Sequence, residues 1–150
     1  MSLIINRPSE RPEQHWVEGT GGKLEIKPKR RPASYEVFDA RTNTKLVHEL
    51  DLVNTIRKRV ADWREAGWPG ITIVTRKLLD HWYDPEARQH PFYFCQIEAI
   101  ETLIWWVEGA AAYKQGIAIP GDGGTWQRLC NKMATGTGKT LVMAMIITWQ

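Results

Sequence analysis

Seven residues near the end of the chain have types and spacing that fit phosphate chemistry: Ala134-Thr135-Gly136-Thr137-Gly138-Lys139-Thr140. Gly136 and Gly138 can take positive φ and have no Cβ, so backbone N–H groups here can turn inward and approach anionic oxygens closely. A helix that begins near Lys139 would point its unpaired N–H groups and the positive end of its dipole at the same anion. We therefore predict a phosphate-binding loop formed by Thr135, Gly136, Thr137 and Gly138, in which Lys139 reaches the β- and γ-phosphates and Thr140 ligates Mg²⁺.

The segments on either side of the loop are expected to position it. Residues 141–147 are apolar almost all round, as in a helix that is buried against a sheet. The mixed segment 127–133 is interpreted as the first strand of a parallel sheet, although such strands are usually near-continuous apolar runs. The strict loop pattern has glycine at position 133, where this chain has Met133. The plainer alternative is a glycine-rich turn in front of a core helix.

Composition indicates a globular chain. The 150 residues are 25% charged and 10% aromatic, and the net charge is +3. Residues 1–35 hold seven basic and four acidic side chains, and the cluster at 27–32 could contact a phosphate backbone or form a solvated arm. Cys95 and Cys130 are too few for a disulfide framework or a metal site, so both are predicted to be buried thiols in a reducing cytoplasm. We find no signal peptide and no membrane-spanning run, and predict no membrane partner.

The first ninety residues predict an arm followed by a small α+β region. Residues 1–34 are rich in proline and glycine and are interpreted as a basic linker or mobile arm. Residues 35–47 predict a β-hairpin with a polar turn at 41–44. Apolar spacings of three and four predict helices over 50–65 and 74–82. Trp63 and Trp82 could stack on bases, but both fall on apolar stripes and are predicted to be core residues.

The pattern of apolar and polar residues changes from Pro91 onward. Gln96 opens a predicted third helix, in which Ile97, Ile100, Ile104 and Val107 share a face. Residues 109–125 are interpreted as a loop insertion, in which Asp122 between glycines forms a turn rather than a metal site.

Two strings resemble motifs of one protein family. Residues 132–140, with threonine-glycine-threonine-glycine-lysine-threonine, resemble motif I of superfamily 2 helicases and translocases, and look most like the motor subunits of type III and type I restriction enzymes and their DEAD/DEAH-box relatives. Residues 92–100 resemble the Q motif of those motors. The resemblance implies that Gln96 reads adenine by donating to a ring nitrogen and accepting from the exocyclic amine, with Phe94 or Phe92 near the purine face.

The resemblance also implies a fold and a function. The fold class expected is α/β, the incomplete start of a RecA-like P-loop domain at 91–150, preceded by an accessory region at 35–90 and the arm at 1–34. The function expected is that of an N-terminal fragment of an ATP-dependent DNA helicase or translocase, with ATP and Mg²⁺ as cofactors. Duplex DNA and a modification or specificity subunit are the partners implied for the full-length protein.

Catalysis also needs groups that this chain is not expected to provide. Motors of this family use an Asp-Glu pair at the end of a later strand to hold Mg²⁺ and orient water. Only ten residues follow Thr140, so we predict that this chain has no complete ATPase site and is inactive alone. Two alternatives stay open: another P-loop enzyme such as a nucleotide kinase or transport ATPase, and a module that binds nucleotide without turnover or binds none.

Overall fold

The computed structural model describes residues 4–126 and 128–150. The chain separates into two compact units, one ending at Thr55 and one beginning at Ile56. This packing boundary differs from the divisions at 34/35 and 90/91 expected from the sequence, which remain predictions of domain organisation. The strands and helices are β1 (Gln14–Glu18), β2 (Leu24–Pro28), β3 (Ser34–Asp39), β4 (Thr44–Glu49), α1 (Asp51–Glu65), α2 (Ile73–Tyr83), α3 (Phe94–Val107), α4 (Ala111–Lys114) and α5 (Lys139–Trp149).

The first hairpin was not expected. β1 and β2 pair antiparallel, with Trp16 opposite Ile26, within a stretch that the sequence had indicated to be a linker or mobile arm. That prediction was wrong for residues 14–28. The two strands are short, and the segment between them contains Gly21 and Gly22, both at positive φ. Glycine adopts this conformation without a steric penalty, so the same residues that indicated a linker make the turn of a hairpin.

The structure confirms the hairpin that the sequence predicts over residues 35–47. β3 and β4 pair antiparallel in register from Ser34 opposite Glu49 to Asp39 opposite Thr44. Asn54 at the start of α1 accepts the Ala33 N–H at 2.7 Å and donates back to its carbonyl at 3.2 Å, which holds the start of β3 near the helix. None of the described residues 4–55 is buried, so the two hairpins of this unit are held by backbone pairing rather than by a buried core.

The second unit is helical, and its described residues form one hydrophobic core. Trp63 and Trp82 are buried in it, which confirms that they are core residues. Trp63 also donates its indole N–H to the Pro69 carbonyl at 2.8 Å. The core draws on four helices, from Val60 and Trp63 of α1, Leu79 and Trp82 of α2, Ile97, Ile100, Ile104 and Trp105 of α3, and Met145 of α5.

The loop has no parallel sheet behind it among the described residues. Residues 128–134 form no strand, so the prediction of a first parallel strand at 127–133 was wrong over 128–133, while Gln127 lies outside the described residues. Polar Arg128, Asn131 and Lys132 are exposed, and both described sheets are two-stranded and antiparallel. A parallel strand depends on neighbours for its hydrogen bonds, and none is available here. The fold is mixed α and β.

The predicted insertion is only partly irregular. It contains the short helix α4, from which Tyr113 packs against the core, as Ile117 does just after it. Asp122 accepts the Gly124 N–H at 3.0 Å and pairs with Arg128 at 2.7 Å, which confirms a turn-forming aspartate. These two contacts lower the pKa of the exposed Asp122 carboxylate, and the hydrogen bond from the Gly124 N–H contributes more than the contact with Arg128.

No helix in the described part of the chain has the length and apolarity needed to span a bilayer.

Candidate phosphate-binding loop

The backbone of the candidate loop turns tightly and then enters α5. Gly136 has φ of 79° and Gly138 has φ of 75°, both left-handed. Gly138 is the N-cap of α5, and its carbonyl accepts the N–H groups of Leu141 at 3.0 Å and Val142 at 3.3 Å. The Thr137 hydroxyl donates to the Ala134 carbonyl at 2.7 Å and closes the turn. The two glycines therefore stand where positive φ is required, and the helix begins at Lys139 as the sequence predicts.

Lys139 folds back over the loop. Its Nζ donates to the carbonyls of Met133 at 3.2 Å and Ala134 at 2.9 Å. These are backbone oxygens, which any residue provides, and Met133 does not have positive φ. Methionine at the position where the strict pattern has glycine therefore does not disturb the backbone or the lysine contact.

Gln96 lies against the loop although it is distant in sequence. It is 5% exposed and occupies the first turn of α3. Its Oε1 accepts the Tyr93 N–H at 2.9 Å, and its Nε2 donates to the Thr137 carbonyl at 2.8 Å. The side chain therefore caps the start of α3 and braces the loop with the same amide group.

Gly138 is required by this contact as well as by its φ. A Cβ at position 138 would collide with Nε2 of Gln96, whereas a Cβ at Gly136 would meet open space. The two glycines therefore differ: Gly136 provides only a backbone conformation, and Gly138 also allows the close approach of the buried amide.

The remaining predicted residues are more peripheral. Thr135 and Thr140 are exposed, at the turn and in the first turn of α5. The two phenylalanines considered for the purine face each lie against an arginine: the Arg64 guanidinium is 5.6 Å from the Phe94 ring centroid, and that of Arg88 is 3.9 Å from the Phe92 centroid. One face of each ring is therefore covered by a cation.

A buried ion pair that the sequence did not reveal fixes α3. Glu101 is fully buried, and Arg64 Nε donates to its two oxygens at 3.0 and 2.9 Å. Trp68 adds an indole N–H to Oε1 at 2.8 Å. Burial opposes the charge of Arg64, but the hydrogen bonds to Glu101 and its charge outweigh this and raise the pKa of Arg64. No local pattern predicts the pair, because its members are far apart in sequence and each looks like an ordinary surface charge of a helix.

The described residues contain no group of three or more histidine, cysteine or acidic side chains placed so that it could hold a metal ion. Cys95 is half-buried and Cys130 is exposed, so the prediction of a buried thiol at Cys130 was wrong. Its segment lacks the strand that was expected to bury it.

The loop at 134–140 therefore combines two left-handed glycines, the start of α5 and a folded-back lysine, and Gln96 braces it. Comparison of the chain with protein-family models, with curated proteins and with solved structures found no match in any of the three.

Proposed function

We propose that this chain binds the triphosphate of ATP, with Mg²⁺, through residues 134–140. We further propose that it is the N-terminal part of an ATP-dependent DNA helicase or translocase with a RecA-like motor domain. The observation that carries the proposal is the tight turn with left-handed Gly136 and Gly138 leading directly into α5. A turn of this shape followed by a helix start concentrates N–H groups on one anion.

Each loop residue has a role in this proposal. Backbone N–H groups around Gly136 and Gly138 contact the phosphates, and the first turn of α5 adds its dipole. Lys139 exchanges its two carbonyl contacts for phosphate oxygens, which are charged and therefore stronger acceptors. The Thr140 hydroxyl ligates Mg²⁺.

Gln96 has the capacity to read adenine without releasing the loop. A glutamine amide has two N–H donors and two acceptor lone pairs. The structure uses one donor on Thr137 and one acceptor on Tyr93, so one of each is left for a base. Adenine, with an exocyclic amine beside a ring nitrogen, complements that remaining pair, and guanine presents the opposite arrangement.

Motor activity on duplex DNA is proposed for the full-length protein, with a modification or specificity subunit as a further partner. This part of the proposal is supported by the resemblance of residues 92–100 and 132–140 to the Q motif and motif I. Hydrolysis additionally requires an acidic group that orients water.

Fluorescence anisotropy of labelled ATP and GTP tests the proposal. Lys139→Ala should weaken ATP binding at least tenfold, and the matched control Lys132→Ala, at an exposed lysine just before the loop, should leave it within twofold. Gln96→Ala should abolish a preference for ATP over GTP. Equal binding of ATP by the parent and Lys139→Ala would contradict the assigned site, and equal binding of ATP and GTP by the parent would contradict the role of Gln96.

A further inference from the structure

The end of α5 that is remote from the loop is held by a second polar junction. Trp149, the last residue of α5, donates its indole N–H to Oε1 of Glu108 at 2.6 Å. Glu108 directly follows α3 and also accepts the Thr75 hydroxyl at 2.7 Å and the Thr72 N–H at 2.9 Å. Thr72 is the N-cap of α2. One carboxylate therefore joins the ends of α3 and α5 to the start of α2, where a negative charge is favoured by the helix dipole.

These contacts show that α3 and α5 run parallel and are fixed at both ends. Gln96 meets Thr137 where the helices start, and Glu108 meets Trp149 where they end. The chain separation is the same in both partners, 96 to 108 and 137 to 149. The two polar contacts are roughly 18 Å apart along the helix axes, from twelve residues at the helical rise. Between them, apolar side chains of the two helices belong to one core cluster, in which Met145 joins Ile97, Ile100 and Ile104.

The polar contacts set the register of the pair. Apolar burial is non-directional and does little to fix the position of a helix along its own axis. A hydrogen bond fixes both distance and direction, and one to a carboxylate is stronger than a neutral one. Gly138 is the N-cap of α5 and Lys139 is its first residue. Any axial shift or rotation of this helix therefore moves both residues relative to Gln96.

We propose that Glu108 and Trp149 are positioning residues for the phosphate loop. Their bond holds α5 in the register at which Gly138 meets Gln96 and Lys139 reaches the phosphates, an inference that rests on the proposed function where it concerns nucleotide. Through Thr72 and the same carboxylate, the start of α2 is connected to the loop. Nucleotide binding at one end of α5 is consequently felt at the Trp149 indole at the other.

Hydrogen exchange of the nucleotide-free chain tests the register directly. Trp149→Phe keeps a ring for packing and removes the donor, so the Leu141 and Val142 amides, bonded to Gly138, should exchange at least threefold faster. Trp106→Phe is the matched control. Trp106 also packs against the core, and its indole donates no hydrogen bond among the described residues. Unchanged exchange at both amides in Trp149→Phe, or equal acceleration in Trp106→Phe, would overturn the proposal.

Nucleotide binding gives a second measurement that a purely structural role would not affect. Trp149→Phe should weaken Mg·ATP binding three- to tenfold relative to Trp106→Phe at a similar Tm, and Glu108→Gln, which retains one acceptor oxygen, should fall between Trp149→Phe and the parent. In the parent, the indole N–H resonance that disappears in Trp149→Phe should shift when Mg·ATP is added, and should not shift in Lys139→Ala.

The two measurements separate the possible failures. If the parent binds ATP but Trp149→Phe binds as tightly as Trp106→Phe and the indole resonance stays fixed, the positioning role is wrong. If the parent binds no nucleotide, the proposed function fails, and hydrogen exchange still decides whether the junction sets the register of α5.

Discussion

Substitution of Gly138 by alanine tests the contact between α3 and the loop. Gly136 and Gly138 have nearly the same left-handed φ, so alanine at either position costs roughly 1–2 kcal/mol of backbone strain. Only at 138 does the new Cβ collide with Nε2 of Gln96. That amide must move and release the Thr137 carbonyl, which adds about 1–2 kcal/mol for a lost buried hydrogen bond. Gly138→Ala should therefore lower the free energy of unfolding by about 1–2 kcal/mol more than Gly136→Ala.

Urea unfolding followed by tryptophan fluorescence measures the difference. At typical slopes, a gap of about 1.5 kcal/mol separates the two midpoints by roughly 0.5–1.5 M. Gly116→Ala, at another left-handed glycine with open space around it, is the control for backbone strain away from the loop. In a Gln96→Ala background the collision partner is gone, so Gly138→Ala and Gly136→Ala should cost the same. Equal costs in the parent, or a gap that persists without the Gln96 amide, would refute the reasoning.

Three further predictions concern the support of the site. Arg64→Met leaves the buried Glu101 carboxylate without its cation and should lower the free energy of unfolding in urea by about 3–5 kcal/mol. The double variant Arg64→Met with Glu101→Leu should recover most of this loss, and a double variant as unstable as Arg64→Met would contradict the prediction. Partial burial and the charge of Glu101 raise the pKa of Tyr83. The stability that the neutral Tyr83 hydroxyl contributes is therefore fully present below pH ~10, where a free tyrosine titrates, and is lost as the pH rises above that value. The unfolding free energy of the parent should accordingly fall more steeply in this alkaline range than that of Tyr83→Phe, and parallel curves would contradict the raised pKa. Thr72→Ala removes the α2 N-cap and should cost about 0.5–2 kcal/mol of thermal stability, and a change below that range would show that the cap is dispensable.

Local patterns predicted the helices of the second unit well. Apolar spacings of three and four located α1, α2 and α3, because burying one stripe is what stabilises a surface helix. The same spacing did not show how far the core extends: Val74 belongs to the predicted stripe and is largely exposed, whereas Trp63 and Trp82 are buried. Periodicity identifies a face of a helix, and only the tertiary fold decides which part of that face is covered.

The loop was predictable because its signal is local. Glycines at 136 and 138 followed by Lys139 specify a backbone shape over a few residues, and the structure has that shape. The wrong strand at 127–133 was inferred from what usually precedes such a loop, and its mixed side chains did not support it. The long-range contacts of Gln96, Glu101 and Glu108 depend on partners more than thirty residues away, so no local pattern could specify them.

The central claim is that the turn before α5 encloses the phosphates of a nucleotide. Backbone amide resonances of Gly136 and Gly138, recorded during a titration of the full chain with Mg·ATP, test it most directly. The proposed function predicts that both amides shift in a saturable manner, and that Lys139→Ala abolishes the shifts. Saturable ATP binding that leaves both glycine amides unmoved, or identical shifts in Lys139→Ala, would contradict the claim.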